Sequence, residues 1–193
     1  MHYLRKLLEE SSADPAVVEQ IMEGLDDLPE EQQGGRFRRP SQQRMAFCVR
    51  AMARMDELLD FETRCKVRVE CTCSKNATRA KQIAREYKGR SLEERIEAVR
   101  QTPYRGGNPV LQDDGTITCG VGTEGGHDCP CRHFRGWKYE EPVSVTWCLC
   151  CGGHFIHFYQ VALGVRLRIK EVLSSALQSQ RREPCRFVLE VRD

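Results

Sequence analysis

Apolar positions in the first hundred residues recur at helical spacing. Tyr3, Leu4, Leu7 and Leu8 open an amphipathic turn pattern, and Val17, Val18, Ile21, Met22 and Leu25 continue it beyond Asp14-Pro15. Asp before Pro is an N-cap with proline at the first helical position, where its missing N–H is no loss. Residues 29–40 read as a polar Gly/Pro loop. Ser41 then caps a longer helix whose stripe is Met45, Cys48, Val49, Met52, Met55 and Leu59, a spacing that assigns the methionines to a core. Helix is expected to continue through 75–88. Ser91-Leu92-Glu93-Glu94 is a capping box opening another helix to about Gln101.

The texture changes at Thr102-Pro103. Val110–Cys119 reads as two short strands around Asp114-Gly115, a type I′ hairpin pattern. Residues 120–136 are glycine-rich and irregular. Val143, Val145, Trp147 and Leu149 alternate with Ser144, Thr146, Cys148 and Cys150, which predicts a strand with one apolar face. Gly152-Gly153 is then expected to turn the chain into a helix ending near Leu163-Gly164. Val165, Leu167 and Ile169 alternate with Arg166, Arg168 and Lys170, and Cys185, Phe187, Leu189 and Val191 form the apolar face of a last strand. A hairpin before the helix and strands after it predict the α+β class. A helical portion over 1–103 packs on an antiparallel sheet with one crossing helix over 104–193, as a single compact unit.

Composition narrows the function classes. The chain has 193 residues, 40% hydrophobic and 30% charged, which describes a folded globular protein. Thirty basic against 28 acidic residues give a net charge of +2, too balanced for an electrostatic nucleic-acid binder. The opening MHYLRKLLEESS interleaves apolar residues with charge and is not expected to be a secretory signal. The most apolar stretch, Phe155–Val165, is interrupted by His157, Gln160 and Gly164, so no membrane span is expected. Eleven cysteines then stand out. In a chain assigned to the reducing cytoplasm they point to metal ligation or thiol reactivity ahead of disulfides.

The richest segment is Cys148-Leu149-Cys150-Cys151-Gly152-Gly153-His154, with His157 beyond it. As a strand it puts Cys148 and Cys150 on one face and Cys151 at a strand-to-helix turn, where the helix dipole favours an anion. His154 and His157 follow three residues apart. Such a group fits a tetrahedral zinc or iron site. It equally fits an activated thiol, Cys151, with His154 or His157 as base, or a glycine turn with packed thiols. His127-Asp128-Cys129-Pro130-Cys131-Arg132-His133 supplies a second cluster, in which Cys129 and Cys131 flank a proline and could complete a four-ligand site. Cys71 and Cys73, with Cys65 upstream, are read as structural, because residues two apart on a helix diverge. Cys185 is read as a core thiol, Arg181 and Arg182 as solvated, and Asp113-Asp114 as turn residues. There is no P-loop, dinucleotide fingerprint, serine nucleophile elbow or HExxH motif.

From Pro142 onward, the Cys148–Gly153 segment, the helix closing on Leu163-Gly164, the strand Val165–Glu171, Ser174-Ser175 and Cys185-Arg186-Phe187 resemble the 4-vinyl reductase-type small-molecule-binding domain, related to the Bet3-like trafficking fold. The stretch is similar also to amino-thiazoline-carboxylate hydrolase-like proteins, and the whole chain to a bacterial domain-of-unknown-function family of about this length. The resemblance implies a twisted antiparallel sheet on helices with a ligand pocket between them. It also implies zinc at Glu171 and Cys185. Ser174 stands where the intermediate cysteine of that pattern falls, which moves the expected ligands to Cys129, Cys131, Cys150, Cys151 and His154, with Cys148 secondary.

The resulting expectation is a cytoplasmic small-molecule-binding protein with a structural zinc site. Zinc ranks ahead of an iron–sulfur cluster because the cysteine spacing lacks cluster runs. The alternatives are a Cys151-dependent, hydrolase-like enzyme and a homodimeric scaffold whose cysteines only pack.

Overall fold

A computed structural model describes residues 2–33, 41–72, 77–102, 107–121, 129, 131, 133–134 and 141–192. Cys73 and His127 lie outside these residues. The chain is a mixed α+β protein. The helices are α1 (His2–Glu10), α2 (Pro15–Met22), α3 (Glu30–Gln33), α4 (Gln42–Leu58), α5 (Phe61–Glu70), α6 (Thr78–Glu86), α7 (Leu92–Arg100) and α8 (Val145–Leu163). The strands are β1 (Val110–Leu111), β2 (Ile117–Val121), β3 (Arg166–Ser174) and β4 (Cys185–Arg192).

Side-chain caps start the N-terminal helices where the sequence places them. Asp14 accepts from the Ala16 N–H with Pro15 at the first helical position, Ser41 accepts from Arg44, and Ser91 and Glu94 form the reciprocal capping box. Asp60 caps α5 through the Thr63 N–H. Met45, Cys48, Met52 and Met55 of α4 are buried, so the methionine stripe is core.

The four strands form one antiparallel sheet in the order β1-β2-β4-β3. Ile117, Leu189 and Ile169 pair across three strands and are all buried. Arg168, Lys170 and Arg186 are exposed, as strand alternation requires. Strand β3 carries two register shifts against β4, between Ile169 and Glu171 and between Val172 and Ser174. The β1–β2 turn departs from the type I′ expectation. Only Gly115 takes a positive φ (78°); its N–H donates to Gln112 O (2.9 Å) and Gln112 N–H to Thr116 O (2.8 Å). This is a type I turn followed by a left-handed glycine.

The main correction concerns residues 143–153. The predicted strand is the beginning of α8, a 19-residue helix capped by Ser144, whose hydroxyl accepts from the Thr146 N–H at 3.0 Å. It ends at Gly164 (φ 67°) in a left-handed cap, and Arg95 donates to the free Leu163 carbonyl. Packed on α4, α5, α6 and α7 and on β3 and β4, α8 is buried on nearly every side, and such a helix carries no amphipathic period. Gly152 and Gly153 are therefore not a turn. A Cβ at Gly152 would lie 2.5 Å from Ile169 Cδ1 on the sheet, and one at Gly153 would lie 2.4 Å from the Val69 carbonyl oxygen on α5. The two glycines let the helix fit between both neighbours.

Candidate functional site

Once residues 145–163 are helical, the cysteines sort by a 100° step per residue instead of by alternation. Cys148 and Cys150 diverge by about 200°, whereas Cys150 and His154 lie one turn apart on the same side. Cys148 is buried toward the sheet: its sulfur is 3.1 Å from Ser175 Oγ and hydrogen-bonded to Cys185 at the start of β4. Cys150 turns toward α5, where Arg68 and Cys71 act on it. His157, further along that side, lies 3.5 Å from Glu70 of α5. His154 is half-buried, with its ring edge-on to Phe155 at 6.0 Å.

Cys151 is consequently not at a helix N-terminus. It lies within α8, hydrogen-bonded to Cys150, and that bond together with burial pushes its pKa well up. In the pair, Cys150 is the sulfur held low, first by the hydrogen bond from Cys151 and also by the Arg68 charge. The dipole activation expected for Cys151 as a nucleophile is absent because its amide is inside the helix.

Trp147 organises the neighbouring loop. The Phe134 and His133 rings meet it edge-on at 5.1 and 5.9 Å, and the Arg68 guanidinium lies over its ring at 5.1 Å. These contacts hold the segment carrying Cys129 and Cys131 against α8. The Cys131 N–H donates to Cys129 Sγ at 3.4 Å, and the two thiols are hydrogen-bonded to each other. That bond holds Cys131 down at about 6, helped by the Trp147 indole and the His133 and Phe134 amides, while Cys129 is driven up. Cys131 is within electrostatic reach of Cys48, Cys150, Cys151 and Cys185.

Cys48, Cys129, Cys148 and Cys185 are buried and Cys71, Cys131, Cys150 and Cys151 half-buried, while Cys65 and Cys119 have no cysteine among the groups that act on them. Of the loop pair singled out in the sequence, Cys131 acts electrostatically on both members of the α8 pair. Among the described residues, no three Cys, His, Asp or Glu side chains are already disposed as a metal-binding set. The Glu171–Cys185 combination implied by the resemblance is not assembled: Glu171 is exposed on β3, whereas Cys185 is buried against Cys148.

Sequence reasoning missed Arg68. Arg68 is only 5% exposed, and its Nε and Nη2 donate to the Thr146 and Trp147 carbonyls at 3.2 and 3.1 Å. No local sequence mark separates it from a solvated arginine. Nearby, Arg64 and Thr146 share Asp56: the Thr146 hydroxyl donates to Asp56 Oδ1 at 2.6 Å, and Arg64 pairs with the same oxygen.

An open cavity of about 370 Å³ lies along the sheet, lined among others by Gly107, Val110, Leu173 and Arg186; Val110 and Leu173 are exposed apolar residues. Among the described residues, no helix is long and apolar enough to cross a membrane. Comparison with family models, curated proteins and solved structures finds no match.

Proposed function

We propose that this protein binds a soft metal ion, zinc foremost, through cysteines that fasten the Cys129–Phe134 segment to the central helix, and that it binds a small molecule at the sheet. The observation that carries the reading is that two hydrogen-bonded thiol pairs, Cys129–Cys131 and Cys150–Cys151, lie within electrostatic reach of each other through Cys131. Zinc displaces the protons of the thiols it binds, and a hydrogen-bonded pair already places two sulfurs side by side. A closed structural site needs four protein ligands, and these two pairs supply four, with Cys148 and His154 on the same helix. The thiol content suits a reducing, cytoplasmic setting.

The groove beside Val110 and Leu173 has the volume of a small-ligand pocket and supports the second half of the reading. The 4-vinyl reductase-type, Bet3-like resemblance belongs to this proposal as well; a four-stranded antiparallel sheet crossed by one long helix supports it. The enzyme alternative loses its premise for Cys151, which is half-buried in the middle of the helix and held as a thiol.

The test is metal content by elemental mass spectrometry on tag-free protein purified without chelator, with accessible thiols counted on the same sample. About one zinc per chain, with thiols protected until chelation, is the expected result. Metal-free protein that stays metal-free when zinc is supplied overturns the reading.

A further inference from the structure

We infer that the groove on the sheet takes a small organic monoanion, a carboxylate on an apolar body, with Arg186 holding the carboxylate and Val110 and Leu173 the body. This rests on the reading above that a small molecule binds at the sheet, and deepens it by naming the class of that molecule.

The first observation is where the exposed apolar surface sits. Among the described residues four large apolar side chains are exposed, and two of them, Val110 (41%) and Leu173 (50%), line this one groove. The backbone sets Leu173 there. At the second register shift of β3, Val172 pairs with Phe187 and Ser174 with Arg186, so Leu173 is the extra residue of a bulge. A bulge re-aims a side chain out of the regular pleat. Beside Arg186 the strand is bare: Gly120 of β2 is its cross-strand partner, and a Cβ there would stand 2.2 Å from the Cys185 carbonyl oxygen. That approach admits only glycine, so no side chain rises from β2 beside Arg186.

The second observation is charge, and it is independent of the first. Among the described residues, Arg186 is the one charged side chain that lines the groove, and it has no carboxylate partner. Its neighbours on the two flanking strands supply none, because Gly120 has no side chain and the Ser174 hydroxyl donates to the Pro184 carbonyl at 2.6 Å. The other cations of the sheet differ in this respect: Arg168 and Arg192 meet Glu190, and Lys170 meets Asp114. Two polar side chains of the lining are already engaged, Asn108 by Arg100 and Thr118 by the Gln112 amide at 3.0 Å.

The ligand class follows from these two observations. A guanidinium offers two parallel N–H donors that match a planar carboxylate, and one positive charge balances one negative charge. A phosphomonoester, with a charge of about −2, finds no second cation among the described lining residues. The apolar walls then favour an aliphatic or aromatic body over a sugar or a peptide backbone.

The experiment uses the full chain and three probes: octanoate, benzoate and octanol. Amide chemical shifts read the place of binding, and calorimetric titration reads the affinity. Octanoate is expected to shift the amides of Gly120, Leu173 and Arg186 and to bind more tightly than octanol. Added salt should weaken octanoate binding and leave octanol unchanged. Arg186→Met should weaken octanoate about 10-fold and Arg186→Lys by less, whereas Leu173→Ser should weaken octanoate and octanol alike. Octanol bound as tightly as octanoate, or octanoate unaffected by Arg186→Met, overturns the anion assignment and leaves a small-molecule groove standing. Octanoate unaffected by Leu173→Ser overturns the apolar half of it. Amide shifts confined to other parts of the chain, or none with any probe, overturn both readings. If Arg186→Met does not fold, the salt dependence and the comparison with octanol decide.

Discussion

Gly153 of α8 rests on the backbone of Val69 in α5, so closely that a Cβ there would stand 2.4 Å from the Val69 carbonyl oxygen and 2.8 Å from its Cα. Backbone cannot rotate away, so Gly153→Ala is expected to destabilise the protein by about 1–3 kcal/mol through overpacking. That loss outweighs the gain of about 1 kcal/mol that alanine brings to a helix interior. Gly152→Ala meets the tip of Ile169, a side chain that can move, and should be milder. Urea unfolding of both variants checks the order, and equal stability of Gly153→Ala and wild type would refute the close approach.

At the start of the same helix, the fully buried Thr146 hydroxyl joins Asp56 and Arg64. Thr146→Val keeps the shape but removes the donor to Asp56 and the acceptor for Arg64, at a cost of about 1–3 kcal/mol. Thr146→Ser should recover most of it. The midpoint of chemical unfolding reads both.

Acid should destabilise the fold through identifiable carboxylates. Hydrogen bonds from the Thr63 amide and hydroxyl hold Asp60 below its ordinary value of 3.8, and those from the Thr116 hydroxyl and amide do the same for Asp114. A pKa lowered by folding means stabilisation that is complete above the ordinary value and lost as pH falls through the folded one. Stability measured from pH 6 downward should therefore drop below about 4. Asp60→Asn and Asp114→Asn should each flatten that acid limb and leave the neutral side level.

On the metal-binding proposal, removing zinc should loosen the segment that carries Cys129 and Cys131 more than the helices. Trp147 is packed between His133 and Phe134 on one side and Arg68 on the other, so its emission reports the junction. Chelation is expected to change that emission and lower the melting temperature. Zinc should reverse both, and magnesium neither. A Trp147→Phe variant that keeps the emission change would assign it elsewhere.

The helical half was legible because its information is local. Asp14-Pro15, Ser41 and Ser91 with Glu94 are caps readable within four residues, and the α4 stripe keeps one buried side. The helix α8 was not legible, because a helix surrounded by protein has no polar side to set its period. Val145, Trp147 and Leu149 then imitate a strand. Glycine's meaning at 152 and 153 depends on Ile169 and Val69, which only the folded chain brings opposite. The candidate cysteines were half legible: the pairs Cys129/Cys131 and Cys150/Cys151 stand out in the sequence, and in the fold Cys131 lies within electrostatic reach of Cys150 and Cys151. Arg68 was not legible, since it is buried against the Thr146 and Trp147 carbonyls of α8, far away in sequence.

The two register shifts in β3 bear on how the molecule behaves among its own copies. β3 is an outer strand of the sheet and nine residues long, enough to template another chain. The shifts interrupt its regular ladder, Arg166, Arg168 and Lys170 load it with positive charge, and the Leu167 amide is already satisfied by Gln160 Oε1 at 2.9 Å. Bulges, like charges and an occupied amide together make this border a poor nucleus for edge-to-edge aggregation, and direct any self-association to other surfaces.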